Sequence, residues 1–124
     1  MKVHVLRGKR ILIVEDEYFI AADLKRALGD RDAVVLGPVA SLDAGMAVLD
    51  DGGAIDIAVL DVNLDGADSY PIAERLAARG VPFVFVTGYD GWAMPSAYRS
   101  IPRLAKPFPP GAVVRTIEQM IEEK

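Results

Sequence analysis

Five polar positions stand where apolar runs end. Glu15 and Asp16 follow Ile11, Leu12, Ile13 and Val14; Asp61 follows Ile57, Ala58, Val59 and Leu60; Thr87 follows Phe83, Val84, Phe85 and Val86; Lys106 follows Leu104 and Ala105. If those runs are parallel strands, all these groups meet at one edge of one sheet. Three carboxylates gathered there repel one another and need a cation, or one must take up a proton. Oxygen-only ligands favour Mg2+, with Mn2+ an alternative, over zinc. Mg2+ keeps several waters and takes one or two protein carboxylates beside phosphate oxygens. Asp16 and Asp61 are the candidate direct ligands, with Glu15 acting through water and the main-chain carbonyl of Asn63 as a neutral oxygen. An aspartate can attack phosphorus, and Asp61 has the better claim because it ends the central strand. Thr87 could hydrogen-bond one phosphoryl oxygen. Lys106 could pair with another, and with Asp61 when no phosphate is bound. Pro107, next to Lys106, makes a cis peptide an expectation there. Each group also has a plainer reading, as a solvated turn, a cap or a loop. The complementary chemistry of all of them at strand ends favours a site.

The elements that must position these groups read as alternating strands and helices. Strands are expected over 10–14, 33–39, 55–60, 81–86 and 103–105, with 1–9 a short tail. In the first helix Ile20, Leu24, Ala27 and Leu28 share a face at helical spacing, closed by Gly29 and Asp30. Ser41 caps the second, with Leu42, Gly45, Met46 and Leu49 inward. Asp65-Gly66 marks a loop. The third helix starts near Tyr70, buries Ile72, Ala73, Leu76 and Ala77, and stops at Gly80. Gly91, Pro95 and Pro102 leave only a short or irregular fourth helix within 88–102. Pro109-Pro110 opens the last helix, with Val113, Val114, Ile117, Met120 and Ile121 inward. Gly37-Pro38 is expected to end the second strand. This alternation implies right-handed crossovers and an α/β, doubly wound, five-stranded parallel sheet of flavodoxin-like order 2-1-3-4-5, with strands two and five at the edges. The ligand crevice of such a sheet lies beyond its carboxyl edge.

The whole chain is consistent with that reading. Its 124 residues suit one domain, expected to span 1–124 with no output domain. A net charge of −4 and the lack of a basic run argue against nucleic acid as a partner. Without cysteine there is neither a disulfide nor a thiolate metal site, and His4 alone makes no histidine site. No apolar run has the length of a membrane span, and Gly8, Lys9 and Arg10 interrupt any signal-peptide core. No membrane partner and a cytoplasmic location are expected.

The sequence resembles the receiver domain of two-component response regulators from Lys9 to about Glu122. The pieces that carry this are Ile-Leu-Ile-Val-Glu-Asp-Glu at 11–17, Val-Leu-Asp-Val-Asn-Leu at 59–64, Val-Thr-Gly at 86–88 and Lys-Pro-Phe at 106–108. The resemblance implies that Asp61 is the phosphoacceptor, Glu15 and Asp16 the acidic metal pair, and Thr87 and Lys106 the switch hydroxyl and lysine. It implies a phosphoryl group taken from a histidine kinase or phosphotransferase and lost by Mg2+-dependent hydrolysis. Phe85-Val86-Thr87-Gly88-Tyr89 also resembles the Phe-Ala-Thr-Gly-Tyr (FATGUY) subgroup, whose members often lack an output domain and are associated with HWE/HisKA2 kinases and with stress or light signalling. Three positions before the lysine, where the family places an aromatic switch residue, stands Arg103. Tyr89 or Tyr98 could substitute, although a surface tyrosine is the plainer expectation for each.

The expected function is a non-enzymatic phosphoryl-accepting switch that signals through an unidentified downstream protein, as monomer or homodimer, or drains phosphate from a kinase. Tyr18 and Phe19 would lie either on the partner face or inside. A small Mg2+-dependent aspartyl phosphohydrolase and a phosphorylation-independent scaffold are the alternatives.

Overall fold

The computed structural model describes residues 5–88 and 94–123. In chain order the elements are β1 (Arg10–Val14), α1 (Tyr18–Gly29), β2 (Val34–Val39), α2 (Leu42–Asp50), β3 (Ile57–Asp61), β4 (Asn63–Leu64), β5 (Ala67–Asp68), α3 (Tyr70–Ala78), β6 (Phe83–Thr87), β7 (Arg103–Ala105) and α4 (Pro110–Glu122). The main sheet is parallel, in the order β2-β1-β3-β6-β7. With the short arms β4 and β5 set aside, this is the expected 2-1-3-4-5 order, with the edges where they were expected.

Strand alternation divides the core in two. Ile11, Ile13, Ile57, Val59, Val84 and Val86 face a layer that includes Leu24 and Leu28 of α1 and Val113, Val114 and Ile117 of α4. Leu12, Val14, Ala58, Leu60, Phe83 and Phe85 face Leu49 of α2 and Ile72, Ala73 and Leu76 of α3. Covering both faces explains why these three strands are unbroken apolar runs. Their carboxyl ends carry the polar groups because each strand there leaves the apolar slab.

Three local devices differ from the sequence reading. Gly37-Pro38 does not end β2. Leu12 pairs with Leu36 but Val14 with Val39, so one extra residue is absorbed as a bulge and the strand resumes. Resumption lets the Val39 carbonyl accept the Glu15 N–H at 2.9 Å. Around the Asp65-Gly66 loop, β4 and β5 form an antiparallel hairpin that the sequence reading missed. Asp65 (φ 52°) and Gly66 (φ 91°) both have the left-handed backbone of a type I′ turn, for which Asp-Gly is well suited. Finally, Leu6 lies within the stretch expected to be a tail, yet it is only 1% exposed and packs with the α1–α4 layer. Its burial is set by neighbours distant in sequence, which local pattern does not reveal.

The helices follow their patterns closely. Ser41 Oγ accepts the Ala44 N–H at 3.1 Å, as an N-cap does. After α3, Gly80 donates to the Ala77 carbonyl and Val81 to that of Leu76, the two bonds of a Schellman stop. Ala77 itself is exposed, a correction to the expected inner face of α3. Nine residues offer α3 a narrow apolar stripe, and Ile72, Ala73 and Leu76 fill it. Between β6 and β7 the described helical piece is a single 3-10 turn, Ser96–Tyr98.

Candidate functional site

At the carboxyl edge of the sheet, β3 ends in Asp61, which is 3% exposed. Beside it the chain leaving β1 places Glu15, 1% exposed, and Asp16, which is partly exposed. Carboxylate oxygens of Glu15, Asp16 and Asp61 all lie within 4.8 Å of one another. Thr87 ends β6, buried, and its carbonyl accepts the Lys106 N–H at 2.7 Å. That backbone bond delivers Lys106 to the cluster. Its Nζ donates to Asp61 Oδ2 at 2.9 Å, Glu15 Oε2 at 3.0 Å and Glu17 Oε1 at 2.6 Å. The Lys106-Pro107 peptide is cis.

Main-chain donors hold the carboxylates in place. Asn63 N–H donates to Asp61 Oδ1 at 3.1 Å, Glu17 N–H to Glu15 Oε2 at 3.0 Å, and Asp65 N–H to Asp16 Oδ2 at 3.1 Å. The last bond explains the hairpin's position: its turn reaches back to the acidic pair. Asn63 Oδ1 in turn accepts the Gly66 N–H at 2.8 Å, bracing that turn. A cleft of about 410 Å3 opens over the cluster, lined by Asp16, Glu17, Asp61, Asn63, Asp65, Gly88 and Lys106.

Burial makes ionisation here costly. It pushes the Glu15 carboxyl up to about 8, helped by its hydrogen bond to Asp61 and by that neighbour's charge. Asp61 is raised too, by burial, with hydrogen bonds from Glu15, Lys106 and Asn63 working against the rise. Burial alone would lower Lys106, but its bonds to Asp61, Glu17 and Glu15 outweigh that and keep the ammonium charged above its usual range. A single ammonium thus serves a surplus of carboxylates. Glu15 Oε1 is buried with no hydrogen-bond partner in the protein. An orphaned buried oxygen inside an all-oxygen acidic trio is what a hard divalent cation would satisfy, so the donor set fits Mg2+.

The structure therefore brings Glu15, Asp16, Asp61, Asn63, Thr87 and Lys106 to one edge, as their strand-end positions imply. Sequence reasoning missed Glu17 as a site group. Its signal was the third acid in Glu15-Asp16-Glu17, but nothing local ties it to a lysine 89 residues away. Tyr98 is a correction: it is not a surface tyrosine. Its ring stacks on Tyr70 at 5.3 Å and meets Phe85 edge-on at 5.7 Å. Arg103, in the position of the family's aromatic, is exposed. Tyr89 lies outside the described residues. Tyr18 and Phe19 are 76% and 79% exposed, so neither ring packs inside.

A parallel α/β sheet with an acidic trio, a hydroxyl and a lysine at its carboxyl edge defines a phosphoryl-handling signalling class. The chain matches the response regulator receiver domain family over residues 11–118 and belongs to it. Domains of this family interact with histidine kinases or phosphotransferases, and they generally bind Mg2+ through such an acidic cluster. The chain is 38% identical over 98 residues to the transcriptional regulatory protein TcrA of Mycobacterium tuberculosis, covering 69% of this chain and 38% of that protein. It is 29% identical over 124 residues to the sensor kinase CckA of Brucella abortus, covering 92% of this chain and 13% of that one. Thus it spans well under half the length of both curated relatives. Among solved structures it is similar to SdrG from Sphingomonas melonis Fr1, at 43% identity and a TM-score of 0.77, covering 89% of this chain and 93% of that one.

Proposed function

We propose that Asp61 accepts a phosphoryl group from the histidine of a kinase or phosphotransferase, in a Mg2+-dependent reaction, and that the protein signals by the resulting change of shape. The observation that carries this is the junction at Asp61: a nearly buried carboxylate at the end of the central strand, 2.9 Å from Lys106 Nζ and within 4.8 Å of two further carboxylates.

In the transfer, an Asp61 carboxylate oxygen forms a bond to phosphorus as the phosphorus–nitrogen bond of phosphohistidine breaks. The electron pair returns to the imidazole nitrogen. Glu15, Asp16 and Asp61, with the Asn63 carbonyl, would hold Mg2+. When bound, the cation neutralises charge developing on the phosphoryl oxygens. Lys106 pairs with one of those oxygens, and the Thr87 hydroxyl donates to another. Hydrolysis reverses the modification: water adds to phosphorus, the aspartyl oxygen–phosphorus bond breaks, and inorganic phosphate leaves. Drawing Thr87 toward the phosphate moves the end of β6 and shifts the population of partner-binding surfaces.

We place the protein in the Phe-Ala-Thr-Gly-Tyr subgroup on the segment 85–89, with an HWE/HisKA2 kinase as donor and protein–protein contact in the cytoplasm as output. The exposed Tyr18 and Phe19 open α1, next in the chain to Glu17 on the wall of the cleft, and suit the face that meets the phosphodonor. Stand-alone action and homodimerisation belong to this reading as well. No helix among the described residues is long and apolar enough to cross a membrane.

The test is intact-protein mass after incubation with acetyl phosphate and Mg2+, for wild type and Asp61→Ala. A gain of one phosphoryl group in wild type alone, absent when EDTA replaces Mg2+, is the expected outcome. Multiple turnover of small phosphoesters would favour a phosphohydrolase instead, and unchanged partner affinity in Asp61→Ala would favour a scaffold.

A further inference from the structure

Lys106 is fully engaged before any phosphoryl group arrives. An ammonium has three N–H donors. Three carboxylate oxygens, from Asp61, Glu15 and Glu17, lie at 2.9, 3.0 and 2.6 Å from this one. A phosphoryl oxygen can therefore pair with Lys106 only if one of these bonds is surrendered. The three partners are not equivalent. The Glu15 and Asp61 side chains are 0% and 5% exposed, and each also accepts a main-chain N–H. Releasing either before the bond to phosphorus forms would leave a buried carboxylate short of a partner, which is costly. The Glu17 side chain is 58% exposed and stands on the wall of the cleft, where water can take over its solvation.

We infer that Glu17 is a positioning residue that clamps Lys106 in the resting site, and that its release from the ammonium accompanies entry of the phosphoryl group. This deepens the proposed function and rests on that reading. Glu17 is then a brake with two components. It occupies the donor that the phosphoryl group needs, and it adds one negative charge to the wall that an anionic phosphodonor must pass. Glu17→Gln removes the charge and leaves only a neutral amide oxygen, a weaker acceptor for the ammonium, at the same side-chain length. Glu17→Asp keeps the charge but withdraws the carboxylate by one methylene, so it separates the bond from the field.

The phosphorylation rate with acetyl phosphate and Mg2+ is followed by intact mass for wild type, Glu17→Gln and Glu17→Asp. In parallel, the affinity for beryllofluoride, a phosphoryl mimic, is read from the bound 19F resonances. Glu17→Gln is expected to raise both by roughly two- to fivefold, the scale of losing a mostly exposed ion pair. Glu17→Asp is expected to raise both by less, and the excess shown by Glu17→Gln should shrink at high salt. A purely structural Glu17 would instead change the melting temperature and leave beryllofluoride affinity equal to or weaker than that of wild type. That result, with wild type phosphorylated normally, overturns the clamp alone. Failure of wild type and both variants to gain mass or bind beryllofluoride overturns the acceptor reading, and the clamp falls with it.

Discussion

At the scale of single residues, the site is an excess of buried negative charge held by one lysine. Glu15 has its carboxyl at about 8 in the native chain against an ordinary 4.5. Between those values the folded protein binds more protons than the unfolded one, so this group's contribution to stability falls as pH rises. Asp61, also raised, acts with the same sign. Metal-free protein should therefore lose resistance to urea from pH 5 to pH 8. Glu15→Gln should flatten that slope, and added Mg2+ should flatten it too, because the cation favours the ionised carboxylates. A slope unchanged in Glu15→Gln would show that another group titrates. Lys106→Met removes the cation facing two buried carboxylates and should cost about 3 kcal/mol in the metal-free state. Urea denaturation with and without Mg2+ would show part of that loss restored by metal.

At the scale of elements, the hairpin β4–β5 connects backbone conformation to metal binding. Gly66 has φ 91°, and a Cβ there would meet nothing within 4 Å, so a side chain is opposed by the backbone conformation rather than by a clash. Gly66→Ala should cost about 1 kcal/mol of stability. Because the turn sets the Asp65 N–H on Asp16, the same change should weaken Mg2+ binding, measurable by titration calorimetry. A variant that melts lower yet binds Mg2+ as wild type does would uncouple the turn from the site. The bulge in β2 is comparable: it allows Val39 to hold the Glu15 backbone at the rim of the sheet.

At the scale of the whole molecule, a residue before the first strand completes one of the two core layers. Leu6, 1% exposed, packs against the layer formed with α1 and α4. Leu6→Ala should cost about 2–4 kcal/mol, the range for a buried leucine that leaves a cavity, where a tail residue would cost nothing. At the start of α1, Tyr18 and Phe19 are largely exposed, their rings edge-on to each other at 5.3 Å. Replacing both with alanine should leave the melting temperature and acetyl phosphate reactivity unchanged while slowing transfer from a kinase. Equal slowing with both donors would assign the pair to the site itself.

The division between sequence and structure follows the range of the forces involved. Strand order, the edge strands and the positions of Glu15, Asp16, Asp61, Thr87 and Lys106 were legible because apolar runs, caps and turn residues are local signals, and parallel strands send their carboxyl ends to one side. The Ser41 cap and the Gly80 stop were legible for the same reason. Burial of Leu6, exposure of Ala77 and the Tyr98–Tyr70 stack were not, since each depends on which surface a neighbour distant in sequence presents. The hairpin escaped because two-residue arms carry no periodicity. Glu17 shows the limit most clearly. By type it was one more acid in a run, and only the tertiary structure, carrying Lys106 from the far end of the chain to within 2.6 Å, made it part of the site.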